Sequence, residues 1–352
     1  MKLRFWTCDL QLTHRWAIAS GTSNGAHVNQ VVIVELTDAD GVVGLGEAAP
    51  ARTYEESPEG VLAFCAKVDA SRLAFDDVAG SSAYIASLAS HEMAAKCAFN
   101  IALLDGAARR ARQPLYDYLG LGFRESHHVT SFSIGIDSPD IIRTKVLEAA
   151  QYPVLKLKVG DANEVANLAA LREVAPTKPV RVDANEGWKT KEKALERTEW
   201  LARDGNIQFI EQPMPRGTPA KDLIWLKERS PLPLLADESY HTEQDIPHCA
   251  ECFHGVNVKL VKTGGVSVAY SALQAARRVG LKTMIGCMIE SSVLITAAAH
   301  LAELTDYLDI DGNILINNDP YLGVTTEKGI LSFASAKDPL GLRVTRRQPV
   351  AH

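Results

Sequence analysis

Nowhere does this chain run long enough without charge to cross a bilayer, and residues 1–9 lack the apolar core of a secretory leader. It has no excess of positive charge either: 37 Lys and Arg stand against 43 Asp and Glu, a formal net charge of −6. That balance argues against a nucleic-acid partner and against an anionic membrane surface. Cysteine is sparse and scattered, six in 352 residues, which argues against a disulfide framework and predicts reduced thiols in the cytoplasm. One group, His248, Cys249, Cys252 and His254, has Cys-x-x-Cys spacing. It has no second such pair to complete a four-ligand site, so it reads as structural.

What is present is ordinary soluble-protein material, 46% hydrophobic and 23% charged, in a chain long enough for two domains. The first fifty residues read as β. Strands at 31–36 and 42–47 flank a turn at 38–41, which predicts an antiparallel hairpin. Small polar residues at 20–25 predict a loop before it. Residues 58–120 turn helical, most clearly over 91–112.

From about residue 129 short apolar strands alternate with helical segments. The strand candidates are 131–136, 154–159, 180–183, 207–210, 232–236, 255–260, 283–287 and 307–310. Eight strand-plus-helix units are the signature of a (β/α)8 barrel. A doubly wound open sheet is the alternative, but no Gly-x-Gly-x-x-Gly follows the first strand. The expected architecture is an α/β chain: an α+β capping domain at 1–125, a (β/α)8-type barrel at 126–315, and a segment at 316–352 that returns to the capping domain.

Val154 to Gly160 carries the first chemistry. In a strand, residues two apart share a face, so Lys156 and Lys158 point one way and Leu155, Leu157 and Val159 the other. A like-charged pair on a strand blunts an exposed edge or faces a site full of negative charge. The other strand ends favour the second reading. Asp183, with Asn185 beside it, Glu211 and Asp237 end three successive strands, and a barrel brings such ends to one mouth. Three buried carboxylates repel unless a cation joins them, and an oxygen-only donor set favours Mg2+.

Lys158 on the second barrel strand and Lys259 on the sixth would stand on opposite sides of that mouth. Such a pair suits removal of a proton α to a carboxylate on one face and its return on the other. The metal would stabilise the enediolate. Lys156 would supply the like charge that brings its neighbour's pKa toward working range.

These motifs resemble those of the enolase superfamily, muconate lactonizing enzyme subgroup, and among them most closely the dipeptide epimerases, the group of L-Ala-D/L-Glu epimerase. The similarity spans essentially the whole chain. It includes Gly-Leu-Gly-Glu-Ala at 44–48, Leu-Lys-Leu-Lys at 155–158, Val-Asp-Ala-Asn at 182–185, Ile-Glu-Gln-Pro at 210–213, Ala-Asp-Glu-Ser at 236–239 and Asn-Val-Lys-Leu-Val-Lys-Thr-Gly-Gly at 257–265. The resemblance implies Mg2+ on Asp183, Glu211 and Asp237, an acid/base pair of Lys158 and Lys259, and Lys156 on the substrate carboxylate. It implies that Asp309 and Asp311 hold a dipeptide's α-ammonium. Ser133 at the end of the first barrel strand is a further candidate contact. The Met288-Ile289-Glu290-Ser291-Ser292 stretch resembles the family's Met-x-Glu loop.

Ala-Glu epimerases carry an Arg in the mobile capping loop for the substrate's glutamate side chain; here Asn24 falls near that position. A neutral or apolar second residue, as in Ala-Ala or hydrophobic dipeptides, is therefore expected, with Arg52 in the next loop as the other source of charge. The alternatives are an Ala-Glu epimerase, an o-succinylbenzoate synthase, an N-acylamino acid racemase, a muconate cycloisomerase, or a non-catalytic barrel. The expected partner is a small-molecule dipeptide, with room for a homo-oligomer.

Overall fold

Alternating residues and turn chemistry at the start of the chain produce an antiparallel sheet. In the computed structural model, which describes residues 1–19 and 26–348, β1 (Lys2–Trp16) pairs with β2 (Ala26–Thr37), and β2 with β3 (Val43–Ala48). The Asp38 carboxylate closes the β2–β3 turn by accepting from the N–H of Asp40 and of Val42, each at 2.9 Å. Two helices follow, each started by a side-chain cap: Ser57 on α1 (Pro58–Cys65) and Asp77 on α2 (Val78–Ser87). Next comes α3 (Met93–Arg110), whose alanine-rich interior packs on β3. A Cβ on Gly44 would run into the carbonyl of Ala102, and one on Gly46 into that of Ala98. The two glycines thus let strand and helix lie flush. A short α4 (Leu115–Tyr118) leads out of this cap.

Strand and helix then alternate: β4 (Phe132–Ile134), α5 (Pro139–Glu148), β5 (Leu155–Lys158), α6 (Glu164–Val174), β6 (Val180–Asp183), α7 (Lys191–Ala202), β7 (Ile207–Glu211), α8 (Ala220–Arg229), β8 (Leu234–Ala236), α9 (Ile246–Cys252), β9 (Gly255–Lys259), α10 (Leu260–Thr263), α11 (Val266–Arg278), β10 (Lys282–Gly286), α12 (Ser292–Ala299) and β11 (Tyr307–Asp309). Among the described residues these eight strands form one parallel sheet in sequential order from β4 to β11. The seam between β11 and β4 is drawn together where Ser131 N–H donates to the Leu308 carbonyl at 3.1 Å. The sheet is a nearly closed barrel.

Several strands are shorter than their apolar runs. Pro231 and Pro233 leave β8 only from Leu234. Beyond Ile134 the chain leaves the sheet, and Ile136 N–H donates instead to Ala17 of the cap. Along β5 the aliphatic side chains pack outward and both lysines point inward, yet all four residues are buried. Phe209, Leu235, Met284 and Tyr307 fill the barrel floor.

Cys249 and Cys252 are buried on α9. Among the described residues the one cluster of potential metal ligands lies elsewhere.

Beyond β11 the chain runs back along the cap. Ile316 bridges to Leu12, Leu115 N–H donates to Gly341 at 2.8 Å, and Leu342 N–H donates to the Asp105 carboxylate at 2.8 Å. This segment carries the short pair β12 (Tyr321–Leu322) and β13 (Thr345–Arg346). No helix among the described residues is long and apolar enough to cross a membrane.

Candidate active site

The parallel strands bring their C-terminal ends to one rim, and the charged side chains of the barrel meet there. Asp183 ends β6, Glu211 ends β7 and Asp237 follows β8. All three are buried, with ligand atoms within 4.8 Å of one another. Burial and Asp183 push the Glu211 carboxyl up to about 8, the response of a carboxylate crowded by its own kind. Nearby, Asn185 Nδ2 donates to Glu238 Oε1 at 3.2 Å, while Asn185 Oδ1 and Glu238 Oε2 are buried without a hydrogen-bond partner. Three converging carboxylates, with unsatisfied oxygen atoms beside them, fit a hard divalent cation such as Mg2+.

Four ammonium groups surround this acid cluster. Lys158 Nζ donates to Asp183 at 2.6 Å, and Lys259 Nζ to Asp237 at 2.7 Å. β5 and β9 lie on opposite walls, with β6, β7 and β8 between them. Lys262 holds Asp237 from behind, at 2.8 Å from Oδ1 and 2.6 Å from its carbonyl. Burial works against the ionised Asp237, but Lys259 and Lys262 hold it well below the usual carboxylate range. Burial likewise opposes the charge on Lys259, yet Asp237 holds this ammonium well above the ordinary lysine value.

Lys156 is not the bare like charge beside Lys158 that strand alternation alone suggests. Its Nζ lies 2.6 Å from Asp309, 2.7 Å from Glu211 and 3.1 Å from Asp183. Burial is more than offset by Asp309, Glu211 and Asp183, so Lys156 stays firmly protonated. Asp309 accepts from Ser131 Oγ as well, at 2.6 Å, and Arg181 reaches the same hydroxyl at 3.4 Å.

Asp309 and Asp311 share a face but not a role in this network. Asp311 accepts from Ser133 N–H at 2.6 Å, and its other oxygen lies 3.7 Å from the Cys287 thiol. Burial and Asp309 push Asp311 up to about 6, whereas Lys156 and Lys158 overcome burial and hold Asp309 at about 2.

Asn24 lies outside the described residues. Arg52 is exposed, and the same short turn, Arg52–Tyr54, instead brings the Tyr54 phenol toward Asp237 and Lys259. Burial and Asp237 push the Tyr54 phenol above its ordinary range. Ser131, Arg181 and Lys262 were not anticipated as site residues. Ser131 precedes Ser133 by two, and Arg181 precedes Asp183 by two, so alternation could have found both. Tyr54 carries no such signal, because a loop of the other domain delivers it.

Two family models match. The enolase C-terminal domain-like model covers residues 142–327, and the N-terminal domain model of mandelate racemase and muconate lactonizing enzyme covers residues 10–120. A protein of Pedosphaera parvula named L-Ala-D/L-amino acid epimerase is 69% identical, over 98% of this chain and 99% of its own length. An L-Ala-D/L-Glu epimerase of Bacteroides thetaiotaomicron is 36% identical, over 95% and 85%. Among solved structures, a dipeptide epimerase of Enterococcus faecalis in complex with Mg and L-Leu-L-Tyr superposes with a TM-score of 0.88 at 28% identity, covering 98% of this chain and 99% of that one.

Proposed function

The chain belongs to the enolase superfamily, with the paired domains of mandelate racemase and muconate lactonizing enzyme, and we propose that it is a Mg2+-dependent dipeptide epimerase. It inverts the α-carbon of the C-terminal residue by passing protons between Lys158 and Lys259. The observation that carries this reading is the placement of those two lysines on opposite walls, with the three carboxylates between them.

Asp183, Glu211 and Asp237 would hold the ion, which, when bound, supplies Lewis-acid stabilisation of the charge that develops on the substrate carboxylate. Lys158 and Lys259 face the α-carbon from its two sides. With Asp183 and Asp237 engaged by the ion, their hold on the two ammonium groups would weaken; one lysine, as the neutral amine, would take the α-proton, and the charged one would deliver a proton to the other face. Lys156, held as an ammonium by Asp309, Glu211 and Asp183, adds fixed positive charge beside the substrate carboxylate. Asp311, fixed by Ser133 N–H, is the group left to receive the dipeptide's α-ammonium, and Asn185 lines the mouth beside Glu238.

The second residue of the substrate is neutral, as in Ala-Ala and hydrophobic dipeptides. The exposure of Arg52 and the delivery of a phenol, not a cation, to the Lys259 side support this. The 69% identical relative, named for a general amino acid in the second position, points the same way.

The test is α-proton exchange in D2O with L,L- and L,D-dipeptides. Wild-type enzyme exchanges both epimers. Lys158→Ala and Lys259→Ala each abolish exchange of one epimer, by about 10²–10⁴-fold, and spare the other to a greater extent. Absence of exchange with every dipeptide sinks the assignment.

A further inference from the structure

The Gly-Leu-Gly-Glu-Ala stretch has no part in the proton-transfer scheme, yet Glu47 is fully buried. Its carboxylate crosses from the cap to the barrel. It accepts from Ser291 N–H at 2.9 Å and from the Ser291 hydroxyl. Gly44 and Gly46 seat β3 flush on α3, which sets how far Glu47 reaches. A second tether from the same sheet lies alongside: Asn29 Nδ2 donates to the Ile289 carbonyl at 2.7 Å. The loop between β10 and α12 is therefore held from the cap at two backbone sites two residues apart, 289 and 291.

The opposite side of that loop is the bed of Asp311. The Cys287 thiol lies 3.7 Å from Asp311 Oδ1. A Cβ added to Gly312 would press on the Met288 carbonyl and the Glu290 amide, so the 311–312 backbone rests directly on residues 288–290. Within the loop, Met288 N–H donates to Glu290 Oε1 at 2.9 Å, which makes the turn a stiff unit. A displacement of Ser291 would pass to Asp311 through packed backbone.

We infer that Glu47 is a positioning residue for recognition of the substrate's amino terminus: by anchoring Ser291 it holds the 287–291 loop and, through it, the Asp311 carboxylate. The inference rests on the reading of Asp311 as the α-ammonium site. A charge-assisted contact depends on short range and alignment, so a small shift of Asp311 weakens the grip on a free amine. It leaves a substrate without an amine unaffected.

The experiment compares kcat/KM for L-Ala-L-Ala and N-acetyl-L-Ala-L-Ala with Mg2+-loaded enzyme. Wild type favours the free dipeptide, and Asp311→Asn collapses that preference. Glu47→Ala lowers the preference about tenfold, chiefly by raising KM for the free dipeptide with a smaller change in kcat. Glu47→Gln, which can still accept from Ser291 N–H, restores most of it. If Glu47→Ala does not fold, Glu47→Asp, one methylene short of Ser291, must show the same direction of change. Loss of rate on both substrates in equal proportion in the Glu47 variants, with Asp311→Asn still collapsing the preference, overturns the role of Glu47 alone. An unchanged preference in Asp311→Asn overturns the ammonium reading and the inference with it.

Discussion

At the scale of single residues the barrel interior is an exercise in matching buried charge. Arg181, Ser131, Asp309 and Lys156 form a continuous chain from above the barrel floor to the acid cluster. Removing one member of a buried pair strands the other, at a cost of about 3–5 kcal/mol. Asp309→Asn should therefore lower thermal stability and kcat together, because it takes one of three carboxylates from Lys156 and leaves that ammonium to Glu211 and Asp183 alone. Asp311→Asn should act mainly on KM; steady-state kinetics and melting curves of the two variants separate the roles. His300 is a different kind of buried group. Its Nδ1 accepts from Tyr116 N–H and its Nε2 donates to the Leu342 carbonyl, each at 3.1 Å, so the neutral ring is fully satisfied. Burial pushes it down from 6.5 to about 3. Unfolded chain takes up a proton below 6.5 that folded chain refuses, so stability falls as pH drops from 6.5 toward 3. Burial acts in the other direction on Glu47 and Glu56, raised from 4.5 to about 7, and on Glu290, raised to about 8. Unfolded chain ionises these above 4.5 while folded chain does not, so stability also falls as pH climbs from 4.5 to 7–8. Melting temperature against pH should lose part of its acid-side slope in His300→Gln and part of its alkaline-side slope in Glu47→Gln.

At the scale of elements, close approach decides more than surface area. Gly46→Ala would push a methyl group into the Ala98 carbonyl, and backbone there cannot turn aside. The expected loss is about 1–3 kcal/mol, seen as a lower denaturant midpoint, with the barrel's parallel sheet retained. The elements themselves were unevenly legible. Barrel strands such as β5 and β9 are buried on both sides, so their aliphatic runs stand out, and inward residues two apart announce the mouth. Lys156, Lys158, Asp183, Glu211, Asp237 and Lys259 were legible for that reason. The bounds of β8 and β4 were not, because Pro233 and the cap contact of Ile136 end pairing where the apolar pattern continues. The full length of β1 was also hidden, since Lys2, Arg4, Asp9, His14 and Arg15 interrupt its pattern. The different surroundings of Asp309 and Asp311 come from Ser131, Ser133 and Lys156, partners that lie far from them in sequence and meet them across the seam and the barrel interior.

At the scale of the whole molecule, the fold draws three carboxylates from successive strands to one rim and rings them with four ammonium groups. Binding there should stabilise the folded chain by roughly 3 kcal/mol at a hundredfold excess of Mg2+ over its dissociation constant. Chelation should abolish exchange and lower the melting temperature, and added Mg2+ should restore both. Asp183→Asn should erase the Mg2+-dependent shift in melting temperature, which calorimetry can read independently of turnover. The course of the chain has a consequence of its own. Asp105 in the cap waits for Leu342, and His300 in the barrel waits for the same residue's carbonyl. The stretch from Asp311 to Leu342 is synthesised over roughly 2–6 s at about 5–20 residues per second. For that interval a newly made chain holds the carboxylates and lysines of the mouth, but lacks the partner of Asp105 and His300. Closure of the cap therefore waits on the segment that follows β11, and a chain in which Leu342 has yet to reach Asp105 and His300 holds its acid cluster beneath an unfinished cap.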